Sequence, residues 1–135
     1  MLERVATEHI AGTVERGDGR GQDLGFPTAN LAVSGDSLLP GDGIYATWAV
    51  IDGERHPSAT SIGIRPTFGP SDRLVEVHVL DFNGDLYDKE IGVEFVDKIR
   101  DQQKFPGVDE LIAQMDRDVA QARLTLAGDQ GAAVA

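Results

Sequence analysis

The 135-residue sequence predicts a mainly β domain, a small barrel with one C-terminal helix. Three observations carry that expectation. Up to Pro106, glycine and proline punctuate the chain at short intervals and the apolar residues between them tend to alternate, which is the period of short antiparallel strands with one face turned to a core. Turn sequences stand between several of these runs: "ERGDGRG", "PGDG", "IDGE" and "FNGD", the last holding Asn-Gly, the strongest short hairpin signal. After Pro106 the period changes. Val108, Leu111, Ile112, Met115, Val119, Ala122 and Leu126 recur three or four apart, along one face of an amphipathic helix.

In chain order the strand candidates are "HIAGTV" (9–14), "IYATWAVI" (44–51), "ATSIGI" (59–64), "LVEVHVL" (74–80) and "IGVEFVDKI" (91–99). Five or six strands of this length must close or stack to hide their edges, and a small barrel does so most economically. The helical stripe reads as a face packed on that barrel, with Asp109 and Glu110 at its start and Arg123 near its end suiting the helix dipole. Residues 127–135, "AGDQGAAVA", are small and weakly patterned, so a domain over 1–126 with a disordered tail over 127–135 is expected.

Composition excludes several functions. Twelve Lys and Arg stand against 23 Asp and Glu, a net charge of −11, which repels phosphate backbones and anionic membranes. With only eight aromatic residues among 135, the chain offers neither a basic groove nor a stacking platform for nucleic acid. There is no cysteine, hence no disulfide or thiolate metal site, and His9, His56 and His78 lie too far apart for a ligand-spacing motif. The first ten residues carry acids among the apolar positions, unlike a secretory leader. No apolar run approaches the ~20 residues that span a bilayer, so a cytoplasmic protein is expected.

One stretch asks for chemistry. In "GDGRGQDLGFPTAN", Gly17, Gly19, Gly21 and Gly25 admit positive φ and let backbone N–H groups approach a ligand without a Cβ between them. Neither named phosphate motif fits the spacing. Pro27 fixes its own φ and keeps Phe26 out of the helical region, and in the extended segment that follows Thr28 and Asn30 share one side. A hydroxyl beside an amide carbonyl is a hard-oxygen pair of the kind Mg²⁺ accepts together with water and phosphate. The plainer use of both residues is a local turn bond. Downstream, alternation in "VEVHVL" sets Val75, Val77 and Val79 against Glu76 and His78, so a core-building strand presents one carboxylate on its other face. An acid on a half-exposed strand is ordinarily just solvated.

These residues match a known pattern. "GDGRGQDLGFPTAN" resembles the ATP-binding signature of the riboflavin kinase family, and "GIYATWAV", "SIGIRPTFG", "VEVHVLDFNGDLYDKEIGVEFVDKIR" and "KFPGVDELIAQMDRDVAQAR" resemble its successive blocks in order, over about residues 9–123. The resemblance implies a six-stranded antiparallel Greek-key barrel with a C-terminal helix, transferring the γ-phosphoryl of ATP to the ribityl 5′-hydroxyl of riboflavin to give FMN and ADP. It implies Thr28 and Asn30 as ligands of Mg²⁺ and the nucleotide phosphates, and Gly19, Arg20 and Gly21 as part of a flap over ATP, with Gly25 and Pro27 in the same nucleotide-side motif. Glu76 becomes the general base, and Arg100 and Phe105 fall in the flavin-side region. His78 reads as structural. The sequence has Ile-Arg-Asp-Gln at 99–102 where the family often has Leu-Arg-Pro-Glu, and Ser61 where Asn is common. Bacterial members commonly carry an adenylyltransferase domain before the kinase, so the chain is expected to be a stand-alone kinase or the kinase module of such a protein. The competing reading is a barrel that binds a flavin or nucleotide without turnover; a base and a metal-ligand pair together argue against it.

Overall fold

Six strands and one long helix compose the computed structural model, which describes residues 9–15, 28–32, 40–64, 73–82 and 86–134. The strands are β1 (His9–Glu15), β2 (Ala29–Ala32), β3 (Gly43–Ile51), β4 (Glu54–Ile64), β5 (Arg73–Val79) and β6 (Glu90–Arg100), followed by α1 (Val108–Val134). They close into a barrel in the order β1-β2-β5-β4-β3-β6, every neighbouring pair antiparallel. Closure removes the free edges that strands this short would otherwise expose. Consecutive strands β2 and β3, and β5 and β6, are not neighbours, which is the crossing connectivity of a Greek key.

That connectivity corrects one expectation: β5 and β6 do not pair, so the Asn-Gly between them joins no hairpin, although residues 83–85 themselves lie outside the described set. The tight hairpin is β3–β4, where Asp52 (φ 52°) and Gly53 (φ 83°) both take positive φ in the "IDGE" turn, the requirement of a type I′ connection. Strand β4 also begins earlier than the sequence suggests and runs through Pro57. The β4–β5 ladder begins one residue later, at Ser58↔Val79, and the Pro57 carbonyl accepts from Leu80 N at 2.9 Å. The missing N–H therefore faces the end of β5, where the ladder stops.

Alternation works as expected inside the wall. Val75, Val77 and Val79 of β5 point inward with Ile10, Val14, Leu31, Ile62, Ile91, Val93 and Phe95 to form the barrel core. Tyr45 meets Phe95 edge-on, centroids 5.2 Å apart, and its hydroxyl donates to Gly41 O at 2.7 Å. Three buried hydroxyls satisfy one another in the same interior: Thr47 Oγ1 lies 2.6 Å from Ser58 Oγ and 2.8 Å from Thr60 Oγ1. Where β1 crosses β2, a Cβ on Gly12 would run into the Ala32 carbonyl oxygen, so glycine there permits the close approach.

On the outside, α1 packs Val119, Ala122 and Leu126 against Ala46, Trp48, Ala59, Val96 and Ile99. Two register shifts between β3 and β6 leave Val96 and Ile99 as extra residues on β6; such bulges re-aim the side chains beside them. Asp109 and Glu110 occupy the first turn of α1, but the helix runs on to Val134 across most of the weakly patterned 127–135 stretch, and its last turn has no basic residue. Arg123 therefore lies mid-helix, where it pairs with Asp81 at 2.7 Å instead of capping the dipole. No helix among the described residues is long and apolar enough to cross a membrane.

Candidate active site

Because Val75 and Val77 point into the barrel, Glu76 points out of it. Residues directly opposite across an antiparallel pair share a face, and the registers Asn30↔Glu76 and Glu76↔Ser61 set those three side by side on the outer wall. The row continues through Ser61↔Ile44 to Ile44↔Arg100. Between this wall and the N-terminal half of α1 lies a cleft of about 450 Å³, within the size range of small-molecule sites.

Thr28, just before β2, lines one end of the cleft with Glu76 and His78; Arg100, Phe105 and Asp118 line the other. Leu74 of the wall and Leu111, Met115 and Val119 of the helix make it apolar between those ends. An open, polar recess continues past Glu76 toward Asp42 and Lys104. Asn30 is 9% exposed, and its Oδ1 has no hydrogen-bond partner among the described residues. A buried carbonyl oxygen left so is costly unless something bound there satisfies it. The donor set at this end is therefore oxygen of Thr28, Asn30 and Glu76, suited to a hard cation or to the donors of a ligand.

At the other end, Arg100 is tied to α1. Its Nε donates to both carboxylate oxygens of Asp118, at 3.0 and 3.1 Å, and Nη2 donates to Oδ2 at 2.8 Å. Its guanidinium carbon sits 5.6 Å from the Phe105 ring centroid. Gln102 Nε2 donates to Ser61 Oγ and to Ile62 O, both at 2.9 Å, fastening the β6–α1 connection to β4 beside Glu76. Lys98 bonds Asp101 at 2.6 Å on the surface nearby. The hydrogen bond holds the lysine above its usual pKa and the Asp101 carboxyl below its own.

Of the residues the sequence singled out, Thr28, Asn30, Glu76, Arg100 and Phe105 come together around this cleft and its wall. Gly19, Arg20, Gly21, Gly25 and Pro27 lie outside the described residues. Asp118, Gln102, Leu111 and Met115 were not singled out for the site. Only Asp118 left a signal: it is an acid within the apolar stripe, three residues after Met115 and four before Ala122.

The family model for riboflavin kinase matches residues 6–126. The bifunctional riboflavin kinase/FMN adenylyltransferase of Bacillus subtilis is 38% identical over 116 residues, 84% of this chain and 37% of that protein. The protein of the same name from Escherichia coli K12 is 42% identical over 115 residues, with 84% and 36% covered. The chain thus spans little more than a third of the length of these relatives. Among solved structures, riboflavin kinase from Trypanosoma brucei superposes with a TM-score of 0.67 at 26% identity, covering 90% of this chain and 81% of that one. A Streptococcus pneumoniae structure described as a macrolide-efflux protein superposes with a TM-score of 0.80 at 35% identity, covering 85% and 38%.

Proposed function

The chain belongs to the riboflavin kinase family, and we propose that it transfers the γ-phosphoryl group of ATP to the ribityl 5′-hydroxyl of riboflavin, giving FMN and ADP. The observation that carries this reading is the pairing of Glu76 with Asn30 across β5 and β2 beside a cleft wide enough for a small molecule, with Asn30 Oδ1 buried and without a partner among the described residues. A carboxylate and a hard-oxygen donor side by side are what phosphoryl transfer asks of a protein, which otherwise mainly positions donor and acceptor.

In this reading the flavin ring lies toward Arg100 and Phe105, against Leu111 and Met115, and its ribityl chain runs along the wall to Glu76. The row Glu76, Ser61, Ile44, Arg100 crosses three strand spacings, about 14 Å at ~4.8 Å each, a span suited to a molecule with a ring at one end and a reacting hydroxyl at the other. Glu76 takes the hydroxyl proton as the O5′–Pγ bond forms and the bond from Pγ to the β–γ bridging oxygen breaks, with ADP leaving. Thr28 and Asn30 would hold Mg²⁺, which when bound supplies neutralisation of phosphate charge. Gly19, Arg20, Gly21, Gly25 and Pro27 belong to the nucleotide side by the resemblance of their motif. The kinase domain is taken as residues 1–126, working in the cytoplasm. The relatives' names pair the kinase with an FMN adenylyltransferase, so a domain of that class, which consumes FMN, is the proposed partner.

The test is FMN formation from riboflavin, ATP and Mg²⁺. The wild type forms FMN, and Thr28→Ala with Asn30→Ala abolishes turnover while the thermal midpoint stays within a few degrees, since site polar groups seldom carry stability. Tight riboflavin binding with no FMN would make the chain a non-catalytic flavin barrel instead.

A further inference from the structure

Asp118 is a carboxylate in the apolar stripe of α1, with 5% of its surface exposed. Acids are almost never buried unless paired, and a buried ion pair adds little stability over apolar residues of the same volume. Stability alone therefore does not account for it. Its partner, Arg100, is bonded at every nitrogen: Nε and Nη2 to Asp118, and Nη1 to the Asp101 carbonyl at 3.0 Å. Gln114 Nε2 completes the carboxylate, 2.9 Å from Oδ1. A guanidinium bonded in this way cannot rotate, and its charge is balanced in place. It stands over the Phe105 ring, and Arg100, Phe105 and Asp118 all line the cleft at the end away from Glu76.

We propose that Asp118 is a positioning residue for riboflavin: by holding the Arg100 guanidinium in one orientation over Phe105 and balancing its charge, it makes that end of the cleft a fixed, electrically neutral wall for the flavin ring. The proposal rests on the riboflavin kinase reading. A flat uncharged ring gains from a preorganised surface and loses if it must desolvate a free, mobile cation. ATP, placed at the Thr28 end, gains nothing from the pair. Asp118 thus acts on one substrate only, and only through Arg100.

A double-mutant cycle decides this. Wild type, Asp118→Asn, Arg100→Ala and the double variant are compared for riboflavin Kd by quenching of flavin fluorescence, and for ATP affinity, FMN turnover and thermal midpoint. Asp118→Asn should weaken riboflavin about ten- to hundredfold, the range for losing hydrogen bonds to a charged group, with ATP affinity changed less than about twofold. On the Arg100→Ala background the same substitution should cost no further riboflavin affinity. Equal weakening of both substrates, or losses that add in the double variant, would overturn the proposal. Should Asp118→Asn fail to fold, Gln114→Ala, which removes only the second donor to the carboxylate, should still weaken riboflavin by about two- to fivefold with ATP unchanged. No change in riboflavin affinity there overturns the proposal equally. A wild type that neither binds riboflavin nor forms FMN brings down the functional reading and this inference with it, whereas a working wild type with an additive cycle removes only the inference.

Discussion

The two ends of helix α1 carry the same kind of apolar stripe and use it in opposite ways. Toward the C-terminal side, Ala122 and Leu126 are sealed against Ala46, Trp48 and Val96 of the barrel, at 0% and 2% exposure. Toward the N-terminal side, Leu111 and Met115 are not sealed on the barrel but line the cleft whose wall carries Glu76 and His78. Val119, between them, both packs on the barrel and lines the cleft. Apolar spacing therefore identifies a face without saying whether protein or ligand will cover it. Where the barrel supplies apolar side chains the stripe becomes core; where it supplies Thr28, Ser61 and Glu76, the stripe becomes one side of a cleft.

This contrast predicts which measurement each end will move. The largest effect should come from the wall facing the open end: Glu76→Gln should lower FMN turnover by about 10²–10⁴-fold, the span for losing a positioned general base. Its thermal midpoint should stay near the wild type's, and a midpoint that falls with turnover would make Glu76 part of the fold. Next, Leu126→Ala at the sealed end should cost about 2–4 kcal/mol in urea unfolding, the range for emptying a buried leucine site. Its Kd for riboflavin should not change; a changed Kd would mean that the two ends are not separate. Smaller again, Met115→Ala should weaken riboflavin by about three- to tenfold, as for part of one apolar side chain, with an unfolding loss well below that of Leu126→Ala. The reverse pattern would erase the comparison.

The smallest effect belongs to the exposed pair Asp81–Arg123, which ties α1 to the end of β5. The hydrogen bond from Arg123 holds the Asp81 carboxyl below its usual range, so the pair's contribution is present above the unfolded-state pKa and disappears as pH falls through the lower folded one. Asp81→Asn should therefore melt slightly below the wild type near neutrality. That gap should close in acid, and a gap that widened in acid would reverse the sign assigned to the pair.

Some of this was legible residue by residue. The alternation of Val75, Val77 and Val79 places Glu76 on the outer face, because the period of a strand is a local property. The positive φ of Asp52 and Gly53 answers to the turn chemistry of "IDGE" in the same way. The outward carboxylate of Glu76, the hard-oxygen pair Thr28 and Asn30 and the helical stripe could all be read in this way, whereas a base role for Glu76 came only from the family resemblance. Strand β2 is only Ala29–Ala32, too short for its own alternation to announce a strand.

What stayed hidden depends on contacts between residues far apart in the chain. The Asn-Gly signal in "FNGD" is a local preference, yet the pairing of β5 with β2 and β4 is decided by how six strands close without edges. Pro57 could remain in β4 only because β5 ends beside it. Extra residues on β6 align Arg100 with the row that holds Glu76. Asp118 meets Arg100 because α1 crosses β6 there, and a carboxylate in an apolar stripe has no explanation until its partner arrives from another element. The sequence alone determined the strand faces, the helix face, the absence of cysteine chemistry and the hard-oxygen side chains set side by side at Thr28 and Asn30, all set by dihedral preference, side-chain period and composition. Only the tertiary structure decided which faces meet and where a gap remains between them, because burial and pairing are properties of two surfaces at once.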